Sequence, residues 1–375
     1  MDVKKNDSRL RLSVIVDKAL DEAVLTREDI RFLLGLTDPQ DLAQLYQIAR
    51  HLRRRHFQDQ VFLYGFLYFS TYCRNNCLFC QFRRGNHALK RYRKSPAEIL
   101  AAARGMALSG VHVIDLTMGE DPIYFNHGQT GFESLVDLVR SVREATGLAV
   151  MVSPGLVPDE VLSRLSANGA DWYACYQETF NPHLFNELRC NQSFEERLAG
   201  KLAAKQCGLL VEEGLLCGAG ESLDDIAEAI VAMRSVQADQ VRAMTFVPHP
   251  GTPLEQMHSI SNRRELLTLA ILRLVFPQCL IPASLDVDGL SGLKQRLQSG
   301  ANVVTSLVPP GTGLAGVANA TLDIDEARRT PQGIAATLAE CGLQVAAHRD
   351  YRIWLERQRF TRRDVPQRMA ACSSL

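Results

Sequence analysis

The chain has 375 residues, enough for one large α/β barrel or for two domains of average size. Lysine plus arginine and aspartate plus glutamate both number 42, so no net charge favours nucleic acid or an anionic membrane surface. The sequence begins with a polar stretch, and no window approaches the roughly twenty apolar residues of a membrane span. We expect a cytoplasmic protein whose ten cysteines are reduced and whose partner is a small molecule, not nucleic acid or a membrane.

The sequence of residues 8–57 predicts helices that precede the barrel. The clearest helix start is Asp38-Pro39, an N-cap followed by a first-turn proline, with Asp41 in the first turn. From Val61 onwards, short apolar runs alternate with helical periods. The predicted strands are 61–69, 111–118, 148–152, 171–176, 209–217, 240–247, 280–285 and 302–307. Amphipathic segments that follow these strands predict the intervening helices.

Eight strand and helix units alternate without a linker. This regular alternation predicts an α/β protein with a single (β/α)8 barrel and a parallel sheet. A further helix is predicted over 331–341, before an arginine-rich tail. We therefore expect three parts: an N-terminal helical segment (1–57), the barrel with the active site (58–323), and a C-terminal helical extension and tail (324–375).

Three cysteines follow the first predicted strand. Cys73, Cys77 and Cys80 form a C-x3-C-x2-C array. Thiolates select iron–sulfur clusters, zinc or copper(I). A closed zinc site or an ordinary four-iron cluster needs a fourth ligand, yet no cysteine or histidine follows until His87. Three ligands would leave one iron of a cubane open to a small molecule; a zinc knuckle and incidental loop cysteines are the alternatives.

Polar residues also end the later strands, where a barrel places its active site. The candidates after strands two to four are Gly119, Glu120, Ser153, Glu178, Arg189 and Arg197. An arginine can bind a carboxylate through two parallel hydrogen bonds, and we expect one of these two arginines to lie on the surface. Ser153 precedes a proline, so its alternative role is to turn the chain.

A second polar set lies on strands two, six and seven. Asp115 and Arg242 interrupt apolar runs, and burying an unpaired charge costs several kcal/mol, so each needs a partner. Ser284 and Asp286 end strand seven. Together these groups would suit a zwitterionic amino acid, with Arg242 on its carboxylate and the two aspartates on its amines. The alternative is an internal Arg–Asp salt bridge.

The cysteine array, with Phe79 before its last cysteine, resembles the signature of the radical S-adenosylmethionine (SAM) superfamily. The resemblance implies a [4Fe-4S] cluster on Cys73, Cys77 and Cys80, whose open iron binds SAM. Met-Gly-Glu-Asp at 118–121 resembles the family's G-G-E motif, which holds the SAM amino group. The residues assigned to SAM are Phe79, Gly119, Glu120, Ser153, Glu178, Arg189 and Arg197.

Five further motifs resemble those of one particular family within this superfamily. I-D-L-T-M-G-E-D-P, Y-Q-E-T, M-T-F-x-P-x-x-G-T-P, I-P-A-S-L-D and G-A-N-x-V-T-S resemble, in order and spacing, the methylornithine synthases of pyrrolysine biosynthesis. These are relatives of biotin synthase and of a hydrogenase maturase. The resemblance covers roughly residues 25–345 and leaves the arginine-rich C-terminus unexplained.

This resemblance implies a radical SAM isomerase that rearranges L-lysine to (3R)-3-methyl-D-ornithine by fragmentation and recombination, the first step of pyrrolysine biosynthesis. It implies a reductant such as flavodoxin or ferredoxin, and downstream pyrrolysine-pathway enzymes as partners. One alternative is a radical SAM enzyme of the biotin synthase and hydrogenase maturase group acting on another small zwitterion. The other is a zinc-binding structural or RNA-binding protein.

Overall fold

A barrel of eight parallel strands forms the centre of the computed structural model, which describes residues 2–308 and 328–363. The strand order is β6-β5-β4-β3-β2-β1-β8-β7. The strands are β1 Gln60–Ser70, β2 Val113–Met118, β3 Ala149–Ser153, β4 Ala170–Ala174, β5 Leu210–Cys217, β6 Gln240–Thr245, β7 Pro282–Ser284 and β8 Val303–Leu307. Val241 N donates to Leu280 O at 3.0 Å and joins the two ends of this order. The predicted (β/α)8 barrel is therefore confirmed.

Helices surround the barrel and precede it. They are α1 Asp2–Leu20, α2 Arg27–Leu34, α3 Pro39–Phe57, α4 Pro96–Ser109, α5 Pro122–Phe125, α6 Gly128–Thr146, α7 Asp159–Ala167, α8 Pro182–Leu188, α9 Phe194–Gln206, α10 Leu223–Val236, α11 Arg263–Val275, α12 Leu293–Gln298, α13 Pro331–Glu340 and α14 His348–Arg363. A 3-10 turn, Gly289–Gly292, precedes α12. Among the described helices, none is long and apolar enough to cross a membrane.

Local sequence explains where α4 begins and ends. The Ser95 side chain accepts from the Glu98 backbone N–H, and the Glu98 carboxylate accepts from the Ser95 N–H, which completes a capping box. Pro96 occupies the first turn, where its missing N–H is not needed. Gly110 ends the helix at φ 95°, a left-handed conformation that glycine adopts without steric cost.

The N-terminal helices add a layer to the outside of the barrel. Helix α3 packs against α11, and α2 packs against α10. Buried Leu12, Leu33 and Leu45 belong to the same hydrophobic core as the residues between the barrel and its helices. These contacts anchor residues 7–57 through apolar burial. The three-part division of the chain stays a prediction.

Helix α14 closes the amino-terminal end of the barrel. A short strand, β9 Gln344–Val345, pairs with the first residues of β1 and leads into this helix. The Tyr351 hydroxyl accepts from Trp172 Nε1 at 2.9 Å and lies 3.3 Å from the Tyr64 hydroxyl. Trp354 stacks on Trp172 with a centroid distance of 5.8 Å. The arginine-rich segment thus packs across this end of the barrel through residues from Tyr351 to Arg359.

Replacing Tyr351 with phenylalanine should lower the free energy of unfolding by about 1–3 kcal/mol, because the buried Trp172 N–H loses its acceptor. Urea unfolding of the purified protein measures the change. Arg352→Ala is the control: this side chain is exposed on the same helix, and its loss should change stability by less than about 0.5 kcal/mol. Equal stabilities for Tyr351→Phe and wild type would contradict the importance of this contact.

Candidate active site

The cysteine loop leaves β1 at the carboxyl end of the barrel and is tied to two neighbouring loops. Arg74 N donates to Glu120 O at 2.9 Å, and Leu78 N donates to Leu188 O at 2.8 Å. Gly119 lies directly against the loop: a Cβ atom there would be 2.4 Å from the Tyr72 carbonyl oxygen. Only glycine permits this approach, which explains why a glycine stands in the M-G-E-D motif.

Nitrogen donors surround the cysteine sulfurs. Gln192 Nε2 donates to Cys77 Sγ at 3.0 Å, Arg189 Nη1 lies 3.6 Å from the same sulfur, and Asn75 N donates to Cys73 Sγ at 3.4 Å. Donors at these positions stabilise the negative charge of a metal-bound thiolate. Burial raises the pKa of the Cys73 thiol to about 11 and raises that of Cys80 further, so metal binding must displace both protons.

The three cysteines supply the donor set of an iron–sulfur cluster. Cys73, Cys77 and Cys80 are free thiols on one loop, and nitrogen donors point towards two of their sulfurs. Thiolates are the ligands of iron–sulfur clusters, and a cubane held by three of them keeps one iron open to a further ligand. The donor set therefore fits a three-cysteine [4Fe-4S] cluster.

A cavity of about 170 Å³ opens beside the three cysteines. Every residue assigned to SAM lines it: Phe79, Gly119, Glu120, Ser153, Glu178, Arg189 and Arg197. These residues come from the loops after β1 and β2, from the end of β3, and from the segment between β4 and β5 that includes α9. The barrel thus brings together positions more than a hundred residues apart. The structure thus assembles the predicted set, while the role of each residue stays a prediction.

Glu178 has unsatisfied hydrogen-bonding capacity that faces a ligand site. Its backbone is left-handed at φ 69°, an unusual conformation for a residue with a side chain. Carboxylate Oε1 accepts from Arg189 Nη2 at 3.0 Å, whereas Oε2 is buried without a partner. Burial raises the pKa of this carboxyl. An orphaned buried oxygen beside the cavity suits an incoming hydroxyl or ammonium group.

Both arginines are buried, so the expectation that one lies on the surface is wrong. Arg189 Nη2 donates to the Tyr176 carbonyl at 3.2 Å, and Arg197 Nε donates to the same carbonyl at 2.7 Å. Arg189 is buried because it directly follows helix α8. Sequence analysis missed this helix, although Asn181-Pro182 is a helix-start signal. This helix ends at Leu188, and the following turn directs Arg189 inward.

Glu120 and Ser153, which are also assigned to SAM, have partners in the protein as well. Glu120 pairs with Arg74 at 2.8 Å and accepts from Leu156 N at 3.1 Å. Ser153 Oγ donates to Asp115 Oδ1 at 2.8 Å. Glu120 therefore joins the cysteine loop to the loop after β3, and Ser153 orients Asp115 in addition to lining the cavity.

A second cavity, of about 150 Å³, lies next to the first. All four residues assigned to the substrate line it: Asp115, Arg242, Ser284 and Asp286. The two cavities share the residues Phe79, Thr117, Ser153, Tyr176 and Glu178. The two cavities are therefore adjacent. A group bound in the first can lie next to a molecule bound in the second, in the region that these five residues line.

Arg242 is paired with Glu212, a residue that sequence analysis did not select. Arg242 Nε donates to Glu212 Oε1 at 2.7 Å, and the Tyr176 hydroxyl donates to Oε2 at 2.7 Å. The Arg–Asp salt bridge considered as an alternative is thus absent at Arg242, which pairs with a glutamate, but Asp286 forms such a bridge with Arg329. Arg242 Nη2 is buried without a partner and is available to a ligand. The available signal was Glu212-Glu213 inside the apolar run L-V-E-E-G-L-L-C.

The residues at the end of β7 have partners that lie far away in the sequence. Tyr68 donates its hydroxyl to Asp286 Oδ2 at 3.2 Å, and Arg329 Nη1 lies 3.6 Å from Asp286 Oδ1. Ser284 Oγ is 3.4 Å from Ser306 Oγ. Arg329, which is fully buried, was not predicted as a site residue. Asp286 is thus oriented by protein groups while it lines the second cavity.

Stability should depend on pH through Asp115, because burial raises the pKa of this carboxyl to about 7. The folded protein holds the proton more tightly than the unfolded chain, whose aspartate pKa is about 4. The stabilising contribution is therefore complete below about pH 4 and is lost as the pH rises to about 7, by up to about 1.4 kcal/mol per pH unit. Asp115→Asn removes this contribution.

Urea unfolding of both proteins at pH 5, 6, 7 and 8 measures the effect. The stability of wild type relative to Asp115→Asn should fall from pH 5 to pH 7 and then level off. A difference that does not change with pH would mean that Asp115 is ionised throughout this range.

Known proteins resemble the chain along most of its length. Residues 67–232 match the Radical SAM superfamily. The 3-methylornithine synthase of Methanosarcina acetivorans is 40% identical over 335 residues, which cover 89% of this chain and 94% of that protein. The [FeFe] hydrogenase maturase subunit HydE of Thermotoga maritima is 33% identical over 288 residues, covering 76% and 81% of the two chains.

A crystal structure of methylornithine synthase superposes on this chain with a TM-score of 0.86 at 40% sequence identity. The superposition covers 91% of this chain and 99% of the crystallised one. The matched fold, the cysteine loop and the extent of the identity lead to one assignment. The chain belongs to the 3-methylornithine synthase family of radical SAM enzymes.

Proposed function

We propose that the protein rearranges L-lysine to (3R)-3-methyl-D-ornithine, the first step of pyrrolysine biosynthesis. The observation that carries this proposal is the second cavity, which is lined by the Arg242 guanidinium and, besides the shared Glu178 assigned to SAM, by the carboxylates of Asp115 and Asp286. Lysine offers the complementary set, one carboxylate and two ammonium groups. Oppositely charged groups placed in this pattern fix both ends of the substrate at once.

The first cavity would hold the cofactors of the family. Cys73, Cys77 and Cys80 would bind the [4Fe-4S] cluster, and Glu178 would accept from SAM through its unpaired oxygen. When bound, the cluster and SAM supply a 5′-deoxyadenosyl radical that abstracts a hydrogen atom from the substrate. Gln192 and Arg189, which donate towards Cys77, would stabilise the ligand thiolate.

The substrate residues would act as clamps. Arg242 would donate through its free Nη2 to the substrate carboxylate, while Glu212 balances its charge within the barrel. Asp115 and Asp286 would accept from the two ammonium groups. A bound ammonium favours the ionised form of Asp115 and so lowers its pKa from the raised value in the free protein. None of these roles requires a general acid or base.

Confinement would be the main contribution of the protein to the rearrangement. The family's scheme breaks the Cα–Cβ bond of lysine and rejoins the fragments at the neighbouring carbon. Both fragments must therefore stay in near-attack contact and away from water. The barrel walls surround the second cavity, and α14 closes the opposite end of the barrel.

A reducing compartment suits this chemistry. The cysteines in the described part of the chain are all free thiols, which agrees with a protein of the cytoplasm. We place the protein there, with a one-electron donor such as flavodoxin or ferredoxin and with later enzymes of pyrrolysine biosynthesis.

Anaerobic incubation of the reconstituted protein with SAM, dithionite and L-lysine tests the proposal. Mass spectrometry should find an amino acid isobaric with lysine and less than one equivalent of 5′-deoxyadenosine, because the product radical takes its hydrogen atom back. Accumulation of 5′-deoxyadenosine without that product would overturn lysine as the substrate. Zinc without acid-labile sulfide would overturn the radical chemistry altogether.

A further inference from the structure

The segment around the cysteine loop is strongly basic although the whole chain is balanced. No aspartate or glutamate occurs in residues 60–97. The same stretch contains the cations Arg74, Arg83, Arg84, Lys90, Arg91, Arg93 and Lys94. A chain with 42 residues of each sign has therefore concentrated positive charge at its cofactor loop.

Most of this charge is not neutralised by the protein. Arg74 pairs with Glu120, and Arg93 pairs with Asp121 at 2.6 Å. Over the described ranges, no ion pair forms at the other cations, which are Arg83, Arg84, Lys90, Arg91 and Lys94. We call these five residues the basic platform. Arg84 and Lys90 are exposed, so their charges face solvent.

Hydrogen bonds fix the basic platform to the cysteine loop. Arg83 N donates to Cys80 O at 3.1 Å, and Arg84 N donates to Asn75 O at 2.7 Å. The Arg91 guanidinium donates to the carbonyls of Phe82 at 2.9 Å and Arg83 at 2.6 Å. These bonds use backbone groups and the Arg91 side chain, so the platform is a defined surface and the side chains of Arg84 and Lys90 remain free to bind.

A cleft brings the outside of the protein close to one cluster ligand. It has a volume of about 410 Å³, and its lining includes Asn75 and Asn76, the three arginines Arg74, Arg84 and Arg197, and the two glutamates Glu120 and Glu196. Asn75 lines both this cleft and the cluster cavity, and its N–H donates to Cys73 Sγ. Gln192 also lines the cleft and donates to Cys77 Sγ, so two residues of the cleft contact cysteine sulfurs directly.

We propose that the basic platform and this cleft form the docking surface for an acidic one-electron donor protein, of the flavin or iron–sulfur class. The proposal rests on the proposed function, because it assumes a cluster at Cys73, Cys77 and Cys80. One electron leaves the donor, which becomes oxidised by one electron, and enters the cluster; no covalent bond forms or breaks. Complementary charge speeds association and sets orientation more than it adds affinity.

Nucleic acid is the less favourable occupant of the same surface. The chain as a whole carries no net positive charge, so it lacks the wide field that phosphate backbones require. The platform also lies against the cluster ligands, where a redox partner has a reason to bind and RNA does not.

The test combines a binding measurement with a rate measurement on the reconstituted holoenzyme. The double charge reversal Arg84→Glu/Lys90→Glu is compared with wild type and with Arg352→Glu, an exposed arginine at the other end of the barrel. Titration with an acidic flavodoxin at low salt should show at least about tenfold weaker binding for the double variant only. Cluster reduction by reduced flavodoxin should slow similarly, while reduction by dithionite should stay at the wild-type rate.

Each outcome distinguishes the docking surface from the proposed function. Unchanged flavodoxin binding and reduction in the double variant would overturn the docking proposal. Equal losses in Arg352→Glu would do the same, because they would reflect total charge only. Loss of RNA binding without loss of flavodoxin binding would assign the surface to nucleic acid and overturn it too. If dithionite-reduced wild type forms no lysine isomer, the proposed function fails, whatever flavodoxin binding shows.

Discussion

Cys77→Ala should leave a folded protein that retains little iron after reconstitution and no longer turns over lysine. Cys77 is buried, and its sulfur accepts from Gln192 Nε2 at 3.0 Å with Arg189 Nη1 at 3.6 Å. Alanine removes one of three ligands and leaves both donors without an acceptor, so the cluster loses a bond and its charge balance. Iron and sulfide analysis, with the visible absorption spectrum, measures the loss.

Cys175→Ala is the matched control for this experiment. Cys175 is also a buried free thiol and lines the same cavity, yet it lies outside the C-x3-C-x2-C array. This variant should keep the iron, the sulfide and the brown colour of wild type. Full iron content in Cys77→Ala, or its loss in Cys175→Ala alone, would contradict the ligand assignment.

Arg242→Met should lower the free energy of unfolding by about 3–5 kcal/mol and abolish lysine turnover while the cluster remains. The substitution strands the Glu212 carboxylate, which is fully buried and has Arg242 as its ion-pair partner. Turnover should fail for a separate reason, because the unpaired Arg242 Nη2 that would hold the substrate carboxylate is gone.

The double variant Arg242→Met/Glu212→Met separates these two effects. Replacing both members of a buried ion pair with apolar side chains usually recovers much of the stability that a single replacement loses. The double variant should therefore unfold at a urea concentration closer to that of wild type and still produce no lysine isomer. Asp286→Ala should likewise keep its iron and lose turnover. Wild-type turnover in the double variant would remove Arg242 from the substrate site.

Local signals in the sequence were sufficient to predict most of the helices and strands of the barrel. The Asp38-Pro39 helix start appears where the sequence predicts it, since a helix end depends on residues within four positions. Apolar runs alternating with helical periods predicted the eight strands. The carboxyl ends of parallel strands meet at one end of a barrel, so the strand-terminal residues could be grouped into one site before any contact was known.

The local signals in the sequence could not predict which buried charges pair with one another. Glu212 meets Arg242 because β5 and β6 are neighbours in a particular register, with Gly214 opposite Arg242 and Glu212 two residues away opposite Gln240. Asp286 similarly lies beside Tyr68 and Arg329, which come from β1 and from the segment after β8. Which charges become neighbours depends on strand register, and register is a property of the assembled barrel.

The sequence by itself determined the barrel, the cysteine loop assigned to the cluster, and the set of polar residues at the strand ends, because each follows from spacing along the chain. Only the tertiary structure decided that Arg189 and Arg197 both turn inward, that Glu212 balances Arg242, and that α14 closes the amino-terminal end of the barrel. Those outcomes depend on contacts between distant segments. The free energy of burying a charge or an aromatic ring is set by the neighbours that folding brings to it.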